Sequence, residues 1–80
     1  MIIKSNMADS MTIQEKIGIN IKRFRQEKGF TQAEVAKKAD INTNTYAKIE
    51  RGVQTATTPM LEMIANVLGV ELATLFVSEK

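Results

Sequence analysis

One short segment of the chain carries side chains suited to contacting DNA bases. Residues 42–51 read NTNTYAKIER. A helix turns 100° per residue, so five side chains of this segment would share one side, within about 140°: Thr43, Asn44, Ala47, Lys48 and Arg51. Asn can bind adenine through two hydrogen bonds, Lys can donate to guanine, and Thr and Ala can contact the methyl group of thymine. An ordinary solvated helix face is the alternative, but such a face would carry more Glu, and none of the five is acidic.

The other side of the same segment predicts anchoring in a core. Tyr46 and Ile49 fall opposite the five residues, and Glu50 lies at the edge of that side. We expect Tyr46 and Ile49 to be buried. Asn42 is suited to the N-cap of this helix, and Gly52 to its end.

The preceding residues predict a second short helix, joined by a tight turn. Thr31 and Glu34 have the spacing of a capping box. Asp40 falls in the turn, where Asp tolerates a left-handed or bridge conformation better than most residues. The inner side of this helix would be formed by Val35, Ala36 and Ala39. Residues 31–52 therefore predict a helix-turn-helix unit.

Three further helices would support this unit. A first helix is predicted after the capping box Thr12–Glu15 and before Gly29, with the apolar stripe Ile13, Ile17, Ile21 and Phe24. A fourth is predicted from Thr58–Pro59 to Gly69, with the stripe Leu61, Ile64, Ala65 and Leu68. A last short helix is expected at 71–76, where Leu72, Leu75 and Phe76 would close the core. The fold class predicted is all-α, with five helices in one domain at 12–77, preceded by a flexible arm or vector-derived extension at 1–11.

Composition excludes several kinds of chemistry. The chain has 80 residues with no Cys and no His, which removes disulfides, the usual zinc sites and a His-dependent triad. We therefore expect no catalytic site, no metal and no cofactor. There is no apolar run long enough to span a membrane, and we expect a cytoplasmic protein without a membrane partner.

The net charge of the chain is only +2, but the charges are unevenly distributed. Residues 22–51 carry eight Lys or Arg against four acidic residues, and residues 52–80 carry one Lys against three acidic residues.

The motifs together resemble the phage-repressor family of lambda repressor and Cro. The resemblance rests on IGINIKRFRQEKGFTQAEVAKKADINTNTYAKIERG followed by LEMIANVLGVELATLF, from Ile17 to about Phe76. It implies a five-helix fold whose second and third helices bind double-stranded DNA. It implies base contacts from the third helix at Thr43, Asn44, Ala47 and Lys48.

The resemblance also implies roles outside the base contacts. Gln32 would contact a phosphate and brace the third helix, and Arg25 would form a structural salt bridge with Glu50. Further phosphate contacts are expected from Thr31, Asn42, Arg51 and Thr55. Tyr46 stands where the family usually has an aliphatic residue; we expect it in the core, with a hydroxyl contact to phosphate as the alternative.

Two departures and one match bear on this interpretation. Asp40 replaces the usual turn glycine, and the loop after Gly52 has no cation. Gly18 matches the family, although glycine in a helix costs about 1 kcal/mol relative to Ala. We assign Gly18 to close packing.

Three functions remain open from the sequence. The first is a transcriptional regulator, a repressor that binds a palindromic operator as a homodimer. The second is an antitoxin or a restriction–modification controller of the same fold, and a toxin would be the partner of an antitoxin. For any of these regulators, a sensor protein in another chain stays open as a partner. The third is a protein-interaction module that has lost DNA binding. A dimer patch could be formed by Met60, Met63, Val67 and Val77, which could equally complete the monomer core.

Overall fold

The computed structural model describes residues 11–77, and helices are the only regular secondary structure within them. The elements are α1 (Ile13–Lys28), α2 (Gln32–Lys38), α3 (Thr43–Arg51), α4 (Thr58–Leu68) and a 3₁₀ helix (Leu72–Phe76). The expected arm at 1–11 lies, except for Met11, outside these residues. No helix in the described part of the chain is long and apolar enough to cross a membrane.

The helix boundaries follow the predicted capping signals. In the capping box of α1, Glu15 N donates to Thr12 Oγ1 (3.1 Å) and Thr12 N donates to Glu15 Oε1 (2.9 Å). Thr31 and Glu34 form the same reciprocal pair at the start of α2. Asn42 Oδ1 caps α3 by accepting from the backbone of Asn44 and Thr45. Left-handed glycines end three of the helices: Gly29, Gly52 and Gly69.

The last predicted helix is only partly confirmed, because it is a 3₁₀ turn and not an α-helix. Thr74 N donates to Glu71 O at 2.9 Å, the three-residue spacing of a 3₁₀ helix. The element has five residues, and 3₁₀ helices typically occur in such short pieces. The expectation that Phe76 would close the core is wrong: Leu75 is buried, but Phe76 is 44 % exposed.

The core lies where the helices meet. α1 packs against α3, α4 and the 3₁₀ helix, while α2 packs against α3 and α4. The predicted stripes of α1 and α4 supply six of the twelve buried hydrophobic side chains in the described part of the chain, although Ile13 at the start of α1 is 51 % exposed. The largest fully buried side chains are Tyr46, Ile21, Ile49, Ile64, Leu68, Leu75 and Val35.

Gly18 allows α1 to lie directly against the carboxyl end of α3. A Cβ at this position would lie 2.3 Å from Glu50 O and 2.7 Å from Ile49 O. Both neighbours are backbone atoms, so no side-chain rotation could make room. The predicted packing role of Gly18 is confirmed.

Asn20 ties the 3₁₀ helix to α1. It is 3 % exposed, and its Nδ2 donates to Leu75 O (2.7 Å) and Val77 O (2.8 Å). The chain after α4 is thereby held through its backbone as well as by Leu75. The role of Asn20 was not predicted from the sequence, although this residue lies on the apolar stripe of α1, where a polar side chain has to find partners.

Candidate nucleic-acid interface

The α3 helix presents one polar side to solvent. Its outer face consists of Thr43, Asn44, Ala47, Lys48 and Arg51; Ala47 is partly buried and the other four are exposed. On the opposite side, Tyr46 has no exposed surface and Ile49 is 2 % exposed. The structure therefore places the predicted base-contacting residues together on a surface that a DNA groove can approach.

Asp40 sets the geometry between α2 and α3. It has φ of 60°, and it is the one residue other than glycine with positive φ among those the structure describes. Asp40 N donates to Lys37 O (3.1 Å) and Ile41 N donates to Ala36 O (2.8 Å), so the turn is closed by the end of α2. The left-handed conformation expected at this position is confirmed.

A buried carboxylate connects the helix-turn-helix unit to α1. The Glu50 cluster consists of Arg25, Gln32, Tyr46 and Glu50. Glu50 Oε2 accepts from Arg25 Nε (2.5 Å) and Tyr46 Oη (2.6 Å), while Oε1 accepts from Arg25 Nη2 (3.1 Å) and Gln32 Nε2 (3.0 Å). Arg25 Nη1 also donates to Phe30 O (2.9 Å), in the link between α1 and α2. The bonds to this one carboxylate join α1, α2 and α3, and Arg25 extends the network to the link.

The ionisation of the Glu50 cluster follows from these bonds. Burial favours the neutral form of Glu50, but the hydrogen bonds from Arg25, Tyr46 and Gln32 outweigh it and hold the pKa of Glu50 below its usual value. The bond to Glu50 raises the pKa of Arg25 against the opposing effect of burial. Burial, followed by the hydrogen bond to the Glu50 carboxylate, raises the pKa of Tyr46 far above its usual value. The ion pair and the neutral phenol are thus the stable forms at neutral pH.

The hydroxyl group of Tyr46 has a different partner from the phosphate that sequence analysis kept as an alternative. Tyr46 is fully buried, and its Oη donates to Glu50. The alternative of a phosphate contact is therefore wrong. The hydrogen bond from the Tyr46 hydroxyl to Glu50 was not predicted, because Tyr46 was assigned to the core and Glu50 to the salt bridge with Arg25. Residues four apart on a helix are nevertheless neighbours.

The other residues predicted to contact phosphate differ in which polar atoms remain available for a further hydrogen bond. Thr31 Oγ1 and Asn42 Oδ1 accept helix-capping bonds, which leaves the Thr hydroxyl hydrogen and the Asn amide group as donors. Thr55 is exposed and accepts a long bond from Gln14 Nε2 (3.4 Å). Arg51 is exposed at the end of α3. Phosphate contact by these residues stays a prediction.

Acidic residues lie together on another part of the surface. Glu62 and Glu71 line a shallow depression between α4 and the 3₁₀ helix, together with Asn66.

The four residues of the predicted dimer patch differ in how exposed they are. Met63 and Val77 are exposed, while Met60 and Val67 pack partly against the core. Its role in dimerisation stays a prediction.

The chain matches a helix-turn-helix family model and a curated transcriptional regulator. A family model described as helix-turn-helix matches residues 21–75, more than half of the chain. The transcriptional regulator SinR of Bacillus subtilis is 40 % identical over 60 residues, covering 74 % of this chain and 54 % of SinR. The chain thus spans about half the length of this curated relative.

Two solved structures show the same arrangement of helices. A crystal structure of SinR, the master regulator for biofilm formation, in complex with DNA has a TM-score of 0.73 and 37 % identity, and the match covers 76 % of this chain and 98 % of that one. A crystal structure of a mutant of the restriction–modification controller protein C.Esp1396I has a TM-score of 0.75 and 32 % identity, with coverage of 82 % and 84 %.

Proposed function

Since this chain belongs to the helix-turn-helix family of lambda repressor and Cro, we propose that it is a sequence-specific transcriptional regulator that binds double-stranded DNA. The relatives support this role, since SinR is a transcriptional regulator and has been crystallised with DNA. We further propose that the protein acts in the cytoplasm as a repressor, and that it works without catalysing a reaction.

In this proposal α3 lies in the major groove with its outer face against the bases. The observation that carries the proposal is the exposure of Thr43, Asn44 and Lys48 on a helix anchored by buried residues on its other side. Base contacts are assigned to these three residues and to Ala47, whose small side chain lets the helix backbone approach the groove. Each good bidentate contact contributes about 1–3 kcal/mol of discrimination between bases.

Phosphate contacts would hold α3 in register. Half or more of the hydrogen bonds in such complexes go to phosphate and sugar, and they orient the protein without reading sequence. The start of α2 is held near the end of α3 by the bond from Gln32 to Glu50, and the loop with Thr55 follows α3 in the chain. The assigned residues are Gln32, Thr31, Asn42, Arg51 and Thr55.

A homodimer on a palindromic operator completes the proposal. Two copies related by a two-fold axis would place their α3 helices in half-sites one helical turn apart, about 34 Å. The exposed side chains of Met63 and Val77 support an apolar contact between copies. Sedimentation at several concentrations tests this step. A protein that stays monomeric at high micromolar concentration, without DNA and on the selected operator, would contradict it.

Selection from random duplexes tests the main function. The full chain is expected to enrich one palindromic sequence at a stated salt concentration. Asn44→Ala and Lys48→Ala should each weaken binding to the selected duplex about 5- to 150-fold, the equivalent of 1–3 kcal/mol. Asn66→Ala and Lys28→Ala are the matched controls, because Asn66 lines the acidic depression and Lys28 Nζ lies beside Gly69 at the end of α4. Equal binding of selected and random duplexes, or full affinity in both α3 variants, would overturn the proposal.

A second candidate is a restriction–modification controller or an antitoxin. The controller protein C.Esp1396I supports the first of these, because it is 32 % identical and most of its length is matched. Both candidates use the same DNA-binding surface, so the α3 variants do not separate them from a repressor. A neighbouring methyltransferase and endonuclease gene pair would favour a controller, and a toxin that co-purifies with the protein would favour an antitoxin.

A further inference from the structure

Tyr46 and Gln32 share one partner in the Glu50 cluster. The two residues bind different oxygens of the same carboxylate: Tyr46 Oη donates to Oε2 and Gln32 Nε2 donates to Oε1. The Glu50 side chain is 2 % exposed, whereas Gln32, the first residue of α2, is half-buried. A fully buried residue is thus connected through one carboxylate to a residue to which the proposed function assigns a phosphate contact.

The direction of the bonds limits how Gln32 can lie. Its Nε2 has two hydrogens, and one is directed at Oε1. The second hydrogen then points away from the cluster, since the two N–H bonds of an amide diverge. The orientation of the carboxylate therefore decides where the free donor of Gln32 is aimed.

Two donors fix the orientation of the carboxylate. Arg25 binds both oxygens, and Tyr46 adds a short bond to Oε2 from one helical turn earlier on α3. Without the hydroxyl, Oε2 keeps one bond, and the carboxylate is free to tilt toward Arg25. Such a tilt would withdraw Oε1 from Gln32, which is on a different helix.

We propose that Tyr46 is a positioning residue for DNA binding: through Glu50 it holds the Gln32 amide in the orientation that donates to a DNA phosphate. This inference rests on the proposed function. The contribution of Tyr46 to affinity is independent of base sequence, because a phosphate contact orients the protein without reading bases. Tyr46 itself touches no DNA.

A double-mutant cycle on DNA affinity tests the inference. The cycle compares the full-length wild type, Tyr46→Phe, Gln32→Ala and the double variant, on the selected duplex and on a random duplex. Tyr46→Phe should weaken binding about three- to tenfold by a similar factor on both duplexes. In the Gln32→Ala background the same substitution should change affinity by less than about twofold, because the group through which Tyr46 acts is gone.

A matched core variant separates positioning from stability. Ile64 is fully buried on α4, and Ile64→Val removes one methylene group while leaving every hydrogen bond of the Glu50 cluster its donor and acceptor. Affinities are measured at a temperature where thermal melts show every variant to be folded, and there Ile64→Val should bind DNA like the wild type. The Gln32 side-chain amide resonance of the free, isotope-labelled protein provides a second measurement: it should shift in Tyr46→Phe and stay unchanged in Ile64→Val.

The outcomes distinguish the inference from the function on which it rests. A wild type that binds no duplex would refute both. If the wild type binds DNA and the Tyr46→Phe variant binds it with the same affinity, the inference alone is refuted. Additive effects in the cycle, or an unchanged Gln32 resonance, would also refute the inference alone. Should Tyr46→Phe be unfolded at the assay temperature, the cycle is run with Glu50→Gln, which keeps the side-chain shape but weakens the bond to Gln32; additivity with Gln32→Ala would again overturn the inference.

Discussion

Replacing Gly18 by Ala gives opposite expectations from the sequence and from the structure. Helix propensity favours Ala over Gly by about 1 kcal/mol, so the substitution would stabilise an isolated α1. In the folded protein the added Cβ would lie 2.3 Å from Glu50 O and 2.7 Å from Ile49 O. These atoms belong to the backbone of α3, and only a shift of the helix itself can relieve the contact.

The size of that shift determines how much stability the substitution removes. Restoring a separation of 3.0 Å requires α3 to move by at least about 0.7 Å relative to α1. Overpacking of this kind typically costs about 1–3 kcal/mol, and the movement also stretches the bonds of Arg25 to Glu50. The gain of about 1 kcal/mol in propensity offsets part of this cost, so Gly18→Ala is expected to lower the free energy of unfolding by up to about 2 kcal/mol, or roughly 4–8 °C in Tm for each kcal/mol.

Denaturant unfolding monitored by circular dichroism measures this effect. Lys22 is exposed in the same helix, so the difference between Lys22→Ala and Lys22→Gly calibrates the propensity term in this protein. That pair should differ by about 1 kcal/mol in favour of Ala. A Gly18→Ala protein that is more stable than the wild type by the full propensity term measured at Lys22 would refute the close approach of α1 and α3.

Three further predictions concern buried polar groups. Arg25→Met should lower stability by about 3–5 kcal/mol because Glu50 would be left without its charged partner, and an effect below about 1 kcal/mol in urea unfolding would contradict the buried ion pair. Because burial and Glu50 raise the pKa of Tyr46 above its ordinary 10, the contribution of Tyr46 to stability should be complete below pH 10 and be lost as the pH rises further. Tyr46 is the one tyrosine in a chain without Trp, so ultraviolet titration reports it alone, and tyrosinate formed in folded protein would disprove its burial. Asn20→Leu should cost about 1–3 kcal/mol and speed hydrogen exchange in the 3₁₀ helix, because the carbonyl groups of Leu75 and Val77 lose their donor; unchanged exchange there would argue against the anchor.

Local signals in the sequence predicted most of the helix framework. Capping boxes, left-handed glycines and the apolar stripes each act within a few residues, so they can be recognised without knowledge of the fold. The same holds for Asp40, whose conformation follows from the short turn. The exposure of Ile13 and Phe76 could not be predicted in this way. It depends on how far each helix extends beyond the helices that pack against it.

Contacts between distant segments account for what sequence analysis missed. Asn20 binds carbonyl groups more than 50 residues away, and the stripe shows only that it needs partners, not which ones. The pair Arg25 and Glu50 was expected from the family resemblance and not from the spacing of charges. Tyr46 was correctly expected in the core, but its bond to Glu50 depends on a side-chain direction that periodicity does not specify.

The central claim is that the α3 outer face is the surface that meets DNA. Titration of the isotope-labelled full chain with its selected duplex, followed by backbone and side-chain amide resonances, tests it most directly. The largest shifts are predicted at Gln32, at residues 42–48 and at Arg51, while Asn66 and Glu71 in the acidic depression should change little. Shifts concentrated in α4 and the 3₁₀ helix, with residues 42–48 unaffected, would contradict the account.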